Sequence, residues 1–147
     1  MQNFFSVFLI FIACVTSANA QTILTCTNPK GQAYYPYQGV MPKDKSGWSA
    51  DAITGGSFSL SKIGDRKYDI LYIDSTKRVQ STSQSGGEVI LVSATDNEMT
   101  FLVNYSGVNI ETYFFFKNKS NNYEMLLSQT KYGAGIAKVA LYQADCT

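Results

Sequence analysis

Residues 98–117, EMTFLVNYSGVNIETYFFFK, limit the possible folds of this chain more than any other stretch. Aromatic and β-branched residues fill both halves, and Ser106-Gly107 between them is typical of a two-residue β-hairpin turn. In an antiparallel hairpin with this turn, the residue numbers of facing residues always add up to the same value, which places Val103 opposite Ile110. One face becomes almost wholly apolar, and the other carries Thr100, Leu102, Asn104, Asn109, Glu111, Tyr113 and Phe115. We therefore expect the first face in the core and the second, mixed face partly exposed.

The chain after residue 56 continues as short β-rich segments joined by polar turns, which is typical of an antiparallel meander. The other predicted strands are 22–26, 57–62, 68–74, 78–85, 88–94, 123–130 and 138–146. The predicted connections are 64–67, 75–77, 86–87, 95–97, 120–122 and 132–137. Residues 78–85 are polar, which suits an edge strand or the border of a wet cavity. The prediction is an all-β fold of eight or nine strands forming a small barrel, with a two-sheet sandwich as the alternative.

Residues 27–56 are the least regular part of the pattern and hold all three prolines. Pro36 and Pro42 argue against a central strand, because proline cannot donate a ladder hydrogen bond. Residues 46–53 have the composition of one or two helical turns, ended by Gly55-Gly56. We expect this short helix to pack Trp48 and Ile53 against the end of the sheet.

The first twenty residues resemble a signal peptide rather than part of the fold. Phe4 to Val15 is a short apolar run, and Ala18-Asn19-Ala20 supplies the small residues of a cleavage site. The alternative is a lipoprotein in which processing occurs at Cys14 and attaches a lipid there. The predicted organisation is a signal peptide at 1–20 and a single β domain at 21–147, without a transmembrane segment.

Two cysteines remain after the predicted cleavage, Cys26 near the start and Cys146 next to the last residue. In an exported protein such a pair is expected to form a structural disulfide, and this one would clasp the ends of the sheet. The net charge of +1 gives no electrostatic reason to bind nucleic acid. We expect a monomer located in the periplasm or secreted.

The composition argues against most enzyme chemistry. The chain contains no histidine, which removes the commonest general base and metal ligand. Pairing of the cysteines would also remove thiol catalysis, so we expect no cofactor, metal site or catalytic residue. The alternative is a polysaccharide hydrolase that uses carboxylates, with the candidates Asp65, Asp69, Asp74, Glu88 and Glu111.

The best candidates for binding are the aromatic residues Tyr34, Tyr35, Tyr37 and Trp48. Flat rings with a polar edge stack on ligands or anchor a protein partner at modest entropic cost. The competing interpretation is that these rings plug one end of the barrel.

Several short motifs follow one another in a characteristic order along the chain. They are Cys26, Pro29-Lys30-Gly31, Ser46-Gly47-Trp48, Gly55-Gly56 with Phe58, Tyr68-Asp69-Ile70-Leu71, Gly86-Gly87, Thr112-Tyr113 and Ala144-Asp145-Cys146. In this the chain resembles uncharacterised exported proteins of Gram-negative bacteria, chiefly proteobacteria. The resemblance implies export and a bacterial source, but no activity. The hypothesis is a non-enzymatic envelope protein that binds a small apolar ligand or a protein partner, with a hydrolase or a lipid-anchored structural protein as alternatives.

Overall fold

The computed structural model describes residues 20–73, 77–132 and 135–147. The strands are β1 Gln21–Tyr35, β2 Gly47–Ala52, β3 Ser57–Gly64, β4 Lys67–Ile73, β5 Val79–Ser81, β6 Glu88–Ala94, β7 Glu98–Tyr105, β8 Asn109–Lys117, β9 Tyr123–Lys131 and β10 Lys138–Cys146. One short 3-10 helix covers Lys43–Lys45. The predicted signal peptide lies outside the described residues except for Ala20, and Cys14 lies outside them too. So do Asp74, two residues of the predicted turn at 75–77 and two of the loop at 132–137.

All ten strands belong to one antiparallel sheet that curls into a half-barrel. The order is β5-β4-β3-β1-β10-β9-β8-β7-β6, and β2 lies beside the second half of β1. Strands consecutive in sequence are therefore neighbours with two exceptions. β2 and β3 both pair with β1 and not with each other, and β5 and β6 lie at opposite ends of the order. This confirms the all-β antiparallel prediction, with ten strands instead of eight or nine and one curled sheet instead of a two-sheet sandwich.

Strand β1 is much longer than the predicted segment 22–26. Its first half pairs with β3 and its second half with β2, while the opposite edge pairs with β10. The change of partner occurs around Asn28 and Pro29, where the register with β10 shifts and Asn28 adopts a φ of 51°. Pro29 is tolerated because a bulge does not need its missing N–H, and its carbonyl accepts from Ile53 N–H at 2.9 Å. The prediction that the chain is irregular from residue 27 onward was therefore wrong for 27–35.

The predicted helical turns at 46–53 are also wrong, because residues 47–52 form β2. Six residues are too few for a helix to be stable alone, whereas β1 offers an edge of unpaired N–H and C=O groups. Ser46, immediately before β2, donates its hydroxyl to Lys43 C=O at 2.7 Å. Trp48 is 69 % exposed on this strand, while Ile53 packs on the core.

The disulfide between Cys26 and Cys146 is present, as predicted, and joins β1 to β10. Thr25 and Thr147 exchange both backbone hydrogen bonds, at 2.8 and 2.9 Å, so the adjacent cysteines form a close, non-hydrogen-bonded pair. Their Cα atoms are 4.0 Å apart. The bond therefore links the first and last strands of the described sheet and indicates an oxidising, non-cytoplasmic environment.

The long hairpin is present as β7 and β8, but its predicted register is wrong by one residue. Tyr105 pairs with Asn109 rather than with Val108, so the loop holds residues 106–108, with Gly107 at a φ of 73°. Val103 consequently faces Glu111, and Phe101 faces Tyr113. This shift exchanges the two faces of β8, so Tyr113 and Phe115 are buried while Ile110 is exposed.

The core fills the concave face of the sheet. Its largest fully buried side chains include Tyr113, Tyr142, Phe101, Phe115, Leu60, Ile70, Met125 and Leu127. Along β8 the inward side chains change from Phe115 and Tyr113 to Glu111 and Asn109 as the strand approaches its turn. The concave face is thus apolar at one end of β8 and polar at the other.

Candidate functional site

A cleft of about 750 Å³ lies on the concave face, and we call it the tyrosine cleft. It is lined by Asp51, Ala52, Ile53, Thr54, Phe58, Tyr72, Ser85, Tyr105, Val108, Asn109, Glu111, Tyr113, Gln129, Lys131, Lys138 and Tyr142. Five of these residues are aromatic, and two are carboxylates. A volume of this size falls within the range of small-molecule sites.

Glu111 lies at the centre of a buried polar group and is only 7 % exposed. Asn109 and Tyr113 are two positions away on β8 and so share its face, while Gln129 is its direct partner on β9. Glu111 Oε1 accepts from Asn109 Nδ2 at 2.6 Å and from Gln129 Nε2 at 2.7 Å. Its Oε2 accepts from the Tyr113 hydroxyl at 2.6 Å. The sheet register therefore surrounds one carboxylate with three donors.

Asp51 forms a second polar group on the β2 side of the cleft. Its Oδ2 accepts from the Tyr142 hydroxyl at 2.7 Å, from Lys138 Nζ at 3.0 Å and from the Tyr35 hydroxyl at 3.0 Å. Gly31 lies between Asp51 and Tyr142 in the cross-strand row. Because glycine has no side chain, Tyr142 can reach across β1 to Asp51.

Part of the cleft wall is built by the segment between β5 and β6, through Ser85. Asp69 on β4 holds it, since its carboxylate accepts from the Ser81 hydroxyl at 2.6 Å and from Ser83 N–H at 3.1 Å. The fully buried Thr82 then accepts from the Tyr105 hydroxyl at 3.3 Å. The strand predicted at 78–85 as an edge strand or the border of a wet cavity is only three residues long, Val79–Ser81. It does lie at the edge of the sheet, and Ser85 in the turn after it lines the cleft.

Burial and charge shift the acid–base properties of the cleft. Burial, reinforced by the negative charge of Glu111 and the hydrogen bond to it, raises the pKa of the Tyr113 phenol well above its usual value. Burial likewise raises the pKa of Tyr105 and that of Tyr142, the latter with the help of Asp51. Burial opposes ionisation of Asp51, but hydrogen bonds from Tyr142, Lys138 and Tyr35 and the charge of Lys138 outweigh it and lower its pKa. At neutral pH these tyrosines are therefore hydrogen-bond donors and Asp51 is an anion.

The structure separates the four aromatic residues expected to bind a ligand. Tyr35 points toward the cleft side, where its hydroxyl contacts Asp51. Tyr34 and Trp48 are directly paired on β1 and β2, and their rings pack edge to face with centroids 5.5 Å apart. Both are exposed, as is Tyr37 in the following loop, so these three rings lie on the outside of the protein and do not fill the end of the sheet.

Among the carboxylates considered for hydrolysis, only Glu111 lines the tyrosine cleft in the described part of the chain. Asp65 lies in an exposed turn, Glu88 is exposed on β6, and Asp69 holds the segment after β5. Sequence reasoning missed Asp51 because its segment was taken as helical. It also placed Glu111 and Tyr113 on the partly exposed face. Asn109, Glu111 and Tyr113 follow one another at a spacing of two, which was a usable signal, but β8 carries aromatic residues on both faces.

No described helix is long and apolar enough to cross a membrane. Within residues 20–73, 77–132 and 135–147, no three acidic or cysteine side chains come together as a metal site would require. No protein-family model matches the chain, and neither a curated protein nor a solved structure matches it.

Proposed function

We propose that this chain is an exported, non-enzymatic protein that binds a small ligand in the tyrosine cleft. The observation that carries the proposal is the cleft itself, about 750 Å³ beside a closely packed core. Its lining combines aromatic rings with a few convergent carboxyl, amide and hydroxyl groups, as ligand sites do. This chemistry favours a ligand with polar groups over the purely apolar ligand expected from the sequence.

The arrangement of the carboxylates supports binding over catalysis. Asp51 is a weak base because its pKa is lowered, and its Oδ2 already accepts three hydrogen bonds. A general base needs a pKa near the working pH and an oxygen free to take a proton. The phenols of Tyr105, Tyr113 and Tyr142 have raised pKa values, which makes them poor proton donors at neutral pH.

The disulfide supports export, because such bonds persist in oxidising compartments. We place the protein in the periplasm of a Gram-negative bacterium or outside the cell. Intact mass of the exported product distinguishes cleavage after Ala20 from lipid attachment at Cys14.

Native mass spectrometry of the protein recovered from its own cells tests the binding proposal. We expect a reproducible excess mass that disappears on denaturation. Replacing Val108 by tryptophan should abolish the excess mass, since Val108 lines the cleft on a loop. The matched control is Val92→Trp, because Val92 is also exposed but lies on β6 outside the cleft. A bare mass for the natural protein, or the same excess mass in Val108→Trp, would contradict ligand binding in this cleft.

A second candidate is recognition of a protein partner by the outer aromatic surface. The observation that favours it is the exposure of Trp48 and Tyr37, 69 % and 67 %, since large exposed rings are typical anchors of interfaces. A Trp48→Ala variant that keeps the excess mass but loses a co-purifying protein would support this candidate.

A hydrolase that uses carboxylates is the remaining candidate, favoured by the position of Asp51 and Glu111 on one cleft. It requires an activity on envelope polysaccharide that Asp51→Asn and Glu111→Gln each abolish. Hydrolysis that survives both substitutions would eliminate it.

A further inference from the structure

The polar side chains around Glu111 can accept more hydrogen bonds than the protein itself donates to them. Glu111 Oε2 accepts one hydrogen bond, from Tyr113, although a carboxylate oxygen can accept two. Asn109 is 8 % exposed and lines the cleft, and its Nδ2 is directed at Glu111. Its Oδ1 is buried and has no hydrogen-bond partner among the described residues. Buried acceptors are nearly always paired, so this one indicates that a donor is missing.

Glu111 also has no cationic partner within the described parts of the chain. In the described part of the chain the ion pair is Lys138 with Asp51, at 3.0 Å. Lys138 Nζ additionally donates to the Tyr142 hydroxyl at 2.6 Å, which commits it to the Asp51 group. Lys131 lines the cleft but is exposed and forms no ion pair with Glu111 within the described residues. A buried carboxylate is normally paired with a positive charge, and here the chain's described residues do not supply one.

The walls of the cleft suit a cation. It is lined by the rings of Phe58, Tyr72, Tyr105 and Tyr113, and by that of Tyr142, over which Lys138 Nζ already lies at 5.4 Å from the ring centroid. The faces of such rings carry negative electrostatic potential and attract ammonium groups. Around Glu111 the cleft thus combines acceptors with spare capacity, a buried carboxylate that forms no ion pair among the described residues, and aromatic rings.

We propose that the tyrosine cleft binds a small molecule carrying a primary ammonium group, whose N–H donors are taken by Glu111 Oε2 and Asn109 Oδ1. This inference rests on the proposed function and names the class of ligand. A primary ammonium fits better than a quaternary one because both oxygens need a donor. The rest of the ligand packs against the tyrosine rings.

Calorimetric titration with three probes tests the proposal on the natural protein. Cyclohexylamine is protonated at neutral pH, and cyclohexanol has nearly the same shape without the charge, while tetramethylammonium has charge without N–H donors. We expect cyclohexylamine to bind about tenfold or more tighter than either of the others, as a charge-assisted hydrogen bond implies. Glu111→Gln should remove this preference. The control Glu88→Gln removes the same charge from an exposed position on β6 and should keep it.

Side-chain amide signals in an NMR titration of the unmutated protein provide a readout that does not depend on a variant folding. Cyclohexylamine should shift the NH₂ signals of Asn109 and Gln129, which donate to Glu111. Equal affinity for cyclohexylamine and cyclohexanol would overturn the ammonium inference while leaving ligand binding intact. No binding of cyclohexylamine, or shifts confined to residues outside the cleft, would also overturn it. The native mass measurement decides separately whether the protein carries any ligand.

Discussion

Replacing Cys26 and Cys146 together by alanine should cost a large part of the folding free energy. The two residues are 120 positions apart, so the disulfide closes nearly all of the described chain into one loop. In the chain-entropy model, a loop of this length stabilises the folded state by about 5 kcal/mol, because the unfolded chain loses freedom. A protein of this size is stable by only about 5–15 kcal/mol, so the variant should unfold at much lower denaturant concentration.

Equilibrium unfolding in urea, followed by far-ultraviolet circular dichroism, measures this loss. The urea concentration at the midpoint of unfolding should fall. The slope m of unfolding free energy against urea concentration should rise, because the unfolded chain without the bond exposes more surface. The natural protein in reducing agent is the control, since it lacks the bond but keeps both side chains. A loss below about 1 kcal/mol with an unchanged m would refute the loop-closure reasoning. It would mean that hydrogen bonding between β1 and β10 alone holds the ends of the sheet.

Three further measurements test the packing and the electrostatics. Gly31→Ala should destabilise the protein by about 3 kcal/mol or more in thermal unfolding, because the added Cβ would overlap the backbone oxygen of Leu141. The control Gly64→Ala meets only ordinary contacts and should be nearly neutral. Trp48 should be quenched readily by acrylamide, since it is exposed on β2; strong protection would contradict this placement. The third measurement concerns the buried phenols of Tyr105, Tyr113 and Tyr142. The pKa of each of these phenols is higher in the folded than in the unfolded protein. Their contribution to stability is therefore complete below the unfolded-state pKa near 10, and it is lost as the pH rises through the folded-state pKa values. Phenolate absorbance should therefore show their ionisation only together with alkaline unfolding, and early ionisation of every tyrosine would contradict their burial.

Much of the fold follows from local pattern. Glu88–Ala94 and Lys138–Cys146 have the predicted bounds, because β-rich runs between polar turns report strand formation directly. The cysteine pair predicted the contact between the first and last strands. Prediction from local pattern failed where a segment can form either of two secondary structures. Residues 47–52 have a composition that allows a helical turn, but pairing with the edge of β1 gives them more backbone hydrogen bonds.

The candidate site depended on information that local pattern does not contain. Tyr113 and Phe114 are adjacent aromatic residues on opposite faces of β8, so hydrophobicity alone could not choose the inward face. The three-residue loop at 106–108 decides that choice, since it sets the register that turns Glu111 inward. Asp51 reaches the same cleft only because β2 pairs with β1.

The sequence by itself determined the all-β antiparallel class, most of the strands after residue 56 and the bond between Cys26 and Cys146. These depend on residue alternation, turn composition and cysteine number, all of which are local or countable. Only the tertiary structure decided which face of β8 is buried, that β2 is a strand, and that Glu111 and Asp51 share a cleft. The physical reason is that register and strand pairing are settled by hydrogen bonds and packing between segments distant in sequence, and one residue of register reverses a strand's faces.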